Sequence, residues 1–136
     1  MEASTPVQLV RSPDLTDRAP YAYAAVAHDV TRLVFTAGAC PLDAAGNTVA
    51  VGDVAGQAEQ VMANLTVALR AAGAELADVV KTTVYVATQR REDLLAAWAV
   101  VSRHFGDHDA PSTLLGVAVL GYPDQLVEVE AIAAQR

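Results

Sequence analysis

The sequence predicts a single α+β domain over residues 1–136, with a six-stranded mixed sheet and two helices on one face of it. Hydrophobic residues make up 53% of the chain, which is enough for one core without metals or disulfides. Extended runs and amphipathic stretches follow one another in the order β-β-β-α-β-α-β-β. Because each helix lies between strands, crossover connections are favoured, and both helices then pack on the same sheet.

Three short extended runs precede the first helix. Residues 7–10 end at a Ser-Pro-Asp turn sequence, and residues 21–27 and 33–37 flank a short turn at 28–31. This turn predicts that the second and third runs pair as an antiparallel hairpin.

Both helices are marked by the residues at their ends. Asp53 precedes apolar residues that recur every three or four positions as far as residue 72, and Gly73 follows as a left-handed stop. The second helix covers residues 91–105, and Gly106 comes directly after it. Residues 79–87 are rich in β-branched side chains and predict the strand between the helices.

The last third of the chain predicts two strands, residues 112–120 and 126–134, joined by a Gly-Tyr-Pro-Asp turn. Side chains alternate along the final strand: Val127, Val129, Ala131 and Ala133 share one face, and Leu126, Glu128, Glu130 and Ile132 share the other. We expect the wholly apolar set to lie under the helices. Since two helices cover only one face, the mixed face must meet solvent or another subunit, and we interpret the pattern as an oligomer.

Charge and composition exclude several classes of protein. The chain has 9 basic and 16 acidic residues and a net charge of −7, which argues against nucleic-acid binding because that affinity comes from Lys and Arg. No uncharged apolar run approaches the ~20 residues that a membrane-spanning helix needs. The single Cys40 cannot form an internal disulfide and no charged-then-apolar leader opens the chain, so we expect a reduced, cytoplasmic setting.

Glu128 and Glu130 are the first candidates for chemistry, because they lie two apart on one face of a strand. A carboxylate on a partly buried face can position a water molecule or move a proton. The alternative is a pair of charges at a sheet edge or subunit interface, and the spacing alone leaves both interpretations open.

Other reactive residue types have simpler interpretations. Cys40 has no base or cationic neighbour in the sequence, so we interpret it as a small buried residue. A cluster of possible metal ligands lies at the end of the second helix, but a helix end does not guarantee that they converge, and no metal site is expected: His104, Asp107, His108 and Asp109. The sequence also lacks a phosphate-binding glycine loop, a nucleophile elbow and paired cysteines, so no cofactor is expected.

Lys81 and the tyrosines keep two interpretations each. Lys81 lies beside two threonines in a strand, where it can act as a Schiff-base nucleophile or, as we favour, form an ion pair with a strand carboxylate. Tyr21, Tyr23 and Tyr122 lie in strands or turns, where a phenol can line a cleft or pack in the core or an interface.

From about residue 21 onward, the chain resembles the RidA/YjgF family. The resemblance is carried by Leu-Val-Phe-Thr-Ala-Gly at 33–38, the helix 57–73 with Asn64, Val-Val-Lys-Thr-Thr at 79–83 and Val-Glu-Val-Glu-Ala at 127–131. It implies a chorismate-mutase-like α+β fold of the bacillus type. It also implies a homotrimer in which the sheets form a central barrel, the helices lie outside, and small-molecule clefts form between subunits.

The resemblance also implies an activity, the hydrolysis of reactive imines and enamines to keto acids and ammonia. Transferred by position, Glu128 holds the attacking water and Gly38 is the turn glycine. The cleft tyrosine is Tyr23, with Tyr21 left open. Further residues expected to line the substrate are Ala37, Ala39, Cys40, Tyr85 and Thr113.

Two departures from the family pattern bear on the substrate. Thr113 stands where the family has the Arg that pairs the substrate carboxylate, and Ala37 and Ala39 replace a Ser and a Gln. A bidentate Arg contact is worth roughly 1.5–3 kcal/mol, so a free 2-imino acid should bind poorly. We therefore expect a hydrolase that acts on an imine or enamine without a free carboxylate. The alternatives are a non-catalytic trimer that binds a metabolite or regulates a partner and, least favoured, a ribonuclease.

Overall fold

The computed structural model describes residues 6–136, and its elements follow the predicted order. The strands are β1 (Val7–Val10), β2 (Ala24–Ala27), β3 (Arg32–Phe35), β4 (Val79–Ala87), β5 (Ser112–Val117) and β6 (Val127–Gln135), and the helices are α1 (Val54–Ala71) and α2 (Arg91–Phe105). A short 3-10 helix, Leu76–Asp78, leads into β4. The α+β class and the two helices on a mixed sheet therefore confirm that part of the prediction.

The strands form two hydrogen-bonded sheets, so the prediction of one six-stranded sheet is wrong. The main sheet has the order β3-β6-β4-β5, and β1 pairs only with β2. β4 and β5 are parallel because α2 crosses between them, whereas the other pairs are antiparallel. β4 also separates β5 from β6, so the turn that joins these two strands does not close a hairpin.

The predicted hairpin between β2 and β3 is also wrong. β2 pairs with β1, and β3 pairs with β6. The β1–β2 hairpin is attached to α2 and the segment after it. The amide of Ala22 donates to the carbonyl of Asp109 at 2.8 Å, and the Tyr21 ring packs edge-on against Trp98. A short turn brings two extended runs near each other, but these tertiary contacts decide which edges pair.

The core lies between the main sheet and the two helices. α1 contributes Met62, Leu65 and Leu69, and β6 contributes Val127 and Val129, all without solvent exposure. The predicted division of the final strand is confirmed, because its wholly apolar set faces the helices and its mixed set is partly exposed. Neither helix of the described chain combines the length and hydropathy that a bilayer span requires.

The opposite face of the main sheet is called here the open face. It carries exposed apolar side chains at Leu33, Phe35 and Leu115, and Phe35 is 68% exposed. A single chain therefore leaves this sheet face, which carries both polar and apolar side chains, uncovered.

The two ends of α1 are as predicted. Asp53 accepts a hydrogen bond from the amide of Gly56 at 3.0 Å, and Gly73 has a φ of +82°.

Candidate active site

The strand register sets the layout of the open face. One row across β6, β4 and β5 consists of Glu128, Tyr85 and Leu115, and the next consists of Glu130, Thr83 and Thr113. Because neighbouring strands lie about 4.8 Å apart and the two rows are two residues apart along the strands, the backbones of Glu128 and Thr113 are separated by roughly 12 Å. The two residues therefore mark separate parts of the candidate site within one chain.

Glu128 lies against the turn that follows β3. The thiol of Cys40 donates to Glu128 Oε1 at 3.3 Å, and the side-chain amide of Gln125 donates to the same oxygen at 3.1 Å. A Cβ placed on Gly38 would lie only 2.2 Å from Glu128 Oε2, so this position has room only for glycine. The structure thus brings Gly38, Cys40 and Glu128 together, as the resemblance implies.

Cys40 is half-buried, and its contact with Glu128 changes its chemistry. Burial, the hydrogen bond to Glu128 and the charge of that carboxylate raise the pKa of the Cys40 thiol to about 11. At neutral pH the thiol is therefore protonated and acts as a donor. The interpretation of Cys40 as a buried residue is thus only partly right, because the thiol is half-buried and donates to the candidate catalytic carboxylate.

Sequence reasoning missed two buried glutamines that support this corner of the site. Gln125 is only 4% exposed and accepts from the amide of Tyr122 at 3.1 Å. Gln57 of α1 is fully buried, donates to the carbonyl of Asp124 at 2.9 Å and accepts from the amide of Leu126 at 2.7 Å. A Gln in a turn or on a helix looks like a solvated residue in sequence, so no local pattern could have identified either one.

Ala37 and Ala39 lie beside Gly38, as predicted, but only part of this backbone is available to a ligand. The amide of Ala39 donates to the carbonyl of Val129 at 2.8 Å, whereas the amide of Gly38 has no acceptor among the described residues. Asn64 of α1 donates to the carbonyl of Cys40 at 2.8 Å and holds the turn in place. All three small residues and Asn64 line a groove of about 380 Å³ along β3.

Tyr85 and Thr113 have polar partners on the open face. The hydroxyl of Tyr85 donates to Glu130 at 2.7 Å, and this hydrogen bond raises the pKa of Tyr85. The ammonium of Lys81 donates to Thr113 at 2.6 Å. The ion pair favoured for Lys81 from the sequence is therefore wrong within residues 6–136, because its nearest polar partner is a hydroxyl and no described carboxylate pairs with it.

The two candidate tyrosines occupy different environments. The hydroxyl of Tyr23 donates to the carbonyl of Thr16 at 2.5 Å. Tyr21 lines a cavity of about 430 Å³ together with Trp98 and Thr113. Within the described chain, neither hydroxyl is bonded to Glu128. Of the two tyrosines, Tyr21, which the sequence left open as the alternative, is therefore the one that shares a cavity with Thr113.

Three of the four possible metal ligands at the end of α2 have separate partners. His104 bonds to Glu59 at 2.9 Å, His108 to the carbonyl of Val79 at 2.7 Å, and Asp109 forms an ion pair with Arg11. Burial and the neighbouring Arg103 lower the pKa of His104. Across residues 6–136, no three His, Cys, Asp or Glu side chains converge on a metal-binding position.

Comparison with known proteins gives consistent matches. The family model described as Endoribonuclease L-PSP matches residues 14–135. A 2-iminobutanoate/2-iminopropanoate deaminase of Salmonella typhimurium is 36% identical over 110 residues, which cover 79% of this chain and 84% of that protein. A RutC family protein of Pyrococcus abyssi is 36% identical over 104 residues, which cover 76% of this chain and 80% of its own length.

Solved structures show the same fold. YyfB of Yersinia pestis, from the conserved Rid protein family, matches with a TM-score of 0.88 and 30% identity over 96% of this chain and 99% of that one. Escherichia coli TdcF with bound serine matches with a TM-score of 0.67 and 30% identity, covering 90% of this chain and 97% of that one. The chain therefore belongs to the RidA/YjgF family, whose model spans residues 14–135.

Proposed function

We propose that the protein is a hydrolase of reactive imines or enamines, working in a reduced, cytoplasmic setting, with Glu128 as the residue that holds and deprotonates water. The observation that carries the proposal is the state of its carboxylate. Oε1 accepts from Cys40 and Gln125, whereas Oε2 lies beside Gly38 and accepts from no donor among residues 6–136. A carboxylate with one bonded and one free oxygen is suited to hold a single water molecule.

The chemistry follows from that geometry. Glu128 takes a proton from the water while the water oxygen adds to the carbon of the protonated C=N bond, whose π electrons become the lone pair of an amine nitrogen. Glu128 then gives that proton to the amine nitrogen, the C–N bond breaks with its electron pair leaving on ammonia, and the hydroxyl passes its proton through Glu128 to the released ammonia as the carbonyl forms. An enamine enters the same path after protonation at carbon, and each turnover consumes one water molecule.

The complete site requires a second copy of the chain. The backbones of Glu128 and Thr113 lie roughly 12 Å apart across the sheet, too far for both side chains to contact the reacting atoms of a small imine. The exposed apolar residues of the open face, led by Phe35, would be covered in a homotrimer. A neighbouring Thr113, with Tyr23 or Tyr21, would then complete the cleft over Glu128, Gly38, Ala37, Ala39, Cys40 and Tyr85.

The proposed substrate is not a free 2-imino acid. Thr113 presents a neutral hydroxyl, and the nearby cation, Lys81, is a point charge that lacks the two-pronged geometry of Arg toward a carboxylate. The net charge of −7 adds no general attraction for anions. These features favour an imine or enamine without a free carboxylate.

A second candidate is a non-catalytic trimer that binds a small metabolite, which the neutral Thr113 also favours. A ribonuclease, which the description of the matching family model suggests, is least favoured, because a chain of net charge −7 repels the phosphate backbone.

The test is turnover by the parent protein and the Glu128→Gln variant on two imine classes. An amine oxidase generates imines without a carboxylate, an amino-acid oxidase generates 2-imino acids, and semicarbazide traps whatever is not hydrolysed. We expect turnover mainly of the first class, and Glu128→Gln should lower it about 10²–10⁴-fold because the general base is lost.

The matched control is Glu92→Gln, which removes an exposed carboxylate on α2 that pairs with Arg90. It should leave turnover unchanged, and both variants should keep the oligomer of the parent protein in native mass spectrometry. Full activity in Glu128→Gln contradicts the assignment of Glu128. A small molecule retained by protein from its own host, together with no turnover on either class, supports the binding protein instead.

A further inference from the structure

The carboxylate of Glu128 is held unequally. Two donors from different parts of the chain, the Cys40 thiol and the Gln125 amide, both reach Oε1. No donor of the described residues reaches Oε2, which faces the Cα of Gly38. Two donors on one oxygen fix the plane of a carboxylate, so the free oxygen has a defined direction.

Gln125 is built into the fold in a way that a passive turn residue does not need. Its side chain is 4% exposed, and all of its polar contacts lie inside the chain: it accepts from Tyr122 and donates to the carbonyl of Val127 and to Glu128, each at 3.1 Å. Its amide is therefore held at both ends. A buried amide with every contact assigned has one orientation, and that orientation presents an N–H to Glu128.

The turn that carries Gln125 is itself fixed from α1. Gln57 contacts the backbone of Asp124 and Leu126 on either side of Gln125. Asp124 has a φ of +61°, a left-handed conformation that a non-glycine residue keeps only when its surroundings impose it. The position of the Gln125 amide thus depends on the core rather than on the local sequence.

We infer that Gln125 is the positioning residue of this site, and that with Cys40 it holds Oε1 of Glu128 so that Oε2 is the oxygen that binds and deprotonates the attacking water. This inference rests on the proposed hydrolase function. It assigns separate tasks to the two oxygens of one carboxylate. Gln125 itself acts only through Glu128.

The test needs a readout that does not depend on turnover, and Cys40 supplies one because it is the only cysteine of the chain. Its thiol pKa, about 11, is raised most by burial and then by Glu128, and it is lowered by Gln125. The rate at which iodoacetamide alkylates Cys40, followed against pH by mass spectrometry, therefore reports whether the three groups contact one another in solution. Glu128→Gln should lower this pKa, and Gln125→Leu should raise it above that of the parent protein.

Kinetics then tests the positioning role. Gln125→Leu should lower kcat on a carboxylate-free imine by about ten- to a hundredfold, because a misplaced base acts poorly, while KM stays within about twofold. Cys40→Ala should lower kcat in the same way, and Cys40→Ser, which restores a donor, should recover most of it. If leucine prevents folding, Gln125→Met keeps the unbranched length and replaces it.

The matched control is Thr48→Val, because the Thr48 hydroxyl supports the same turn through the carbonyl of Pro123 at 2.8 Å without contacting Glu128. It should leave the thiol pKa and kcat unchanged. The inference is overturned if Gln125→Leu matches the parent protein in both measurements, or if Thr48→Val reproduces its losses. The two claims can fail separately. If the parent protein hydrolyses no imine, the proposed function is wrong. If Gln125→Leu leaves the thiol pKa unchanged, the contact of Gln125 with Glu128 and Cys40 is wrong, whatever the turnover.

Discussion

The Cα of Gly38 packs directly against the side chain of Glu128, and this contact explains why a residue without a side chain stands there. An added Cβ would lie 2.2 Å from Oε2 and 2.5 Å from the carboxyl carbon. Gly38 does not have a positive φ, so the requirement is steric and not conformational. The free oxygen of the candidate base is therefore confined by the backbone it lies against.

We predict that Gly38→Ala displaces the Glu128 carboxylate. Overpacking of this kind costs about 1–3 kcal/mol, so thermal unfolding should shift downward, and turnover should fall with it. The control is Gly121→Ala, because a Cβ there meets no atom within 4 Å and its φ is not positive. Equal stability and turnover in the two variants would contradict the close contact at Gly38.

Helix α1 has a second role besides filling the core, because it fixes the turn before β6 through Gln57. This fully buried amide bridges the carbonyl of Asp124 and the amide of Leu126. The helix and the candidate base are thus linked through three consecutive residues of one turn. Sequence periodicity assigns Gln57 to the helix but says nothing of this contact.

Gln57→Leu should destabilise the protein, because each buried backbone group left without a partner costs about 1–3 kcal/mol. Gln60→Leu is the control on the same helix, since the Gln60 side chain bonds, among residues 6–136, to Asn64 alone, one turn further on, at 3.0 Å. Denaturant unfolding should show a clear loss for Gln57→Leu and a loss of a few tenths of a kcal/mol for Gln60→Leu. A similar loss in both variants would argue against the clamp.

The whole chain exposes an apolar sheet face on one side and covers the other with helices. Phe35 on the open face is 68% exposed, and Val67 on the outer side of α1 is 66% exposed. Because the two side chains are similarly exposed in a single chain, the effects of a charge at each position can be compared directly. If the proposed trimer forms through the open face, only one of the two positions is buried by assembly.

We predict that Phe35→Asp dissociates the assembly, because a buried carboxylate without a partner is costly at an interface, whereas Val67→Asp leaves it intact. Light scattering coupled to size-exclusion chromatography measures both. Turnover should fall with dissociation if Thr113 of another subunit completes the cleft. Dissociation by Val67→Asp alone would place the interface on the helices instead.

Local sequence patterns were sufficient for the elements of this fold. Asp53 and Gly73 bound α1 as expected, and the alternation along β6 separates its buried and open faces. The resemblance also brought Gly38, Cys40 and Glu128 into one site, where the structure finds them in contact. Periodicity and end residues act over a few positions, which is why they can be read without a structure.

Pairings between distant parts of the chain depended on the tertiary structure. β3 lies beside β6, the β1–β2 hairpin is anchored to the segment after α2, and Lys81 contacts Thr113 instead of a carboxylate. Gln125 and Gln57 acquired their roles only when the last turn packed against α1. The hydrogen-bond partner of a polar side chain is set by which strands and helices become neighbours, and that choice minimises the free energy of the whole chain rather than of any one segment.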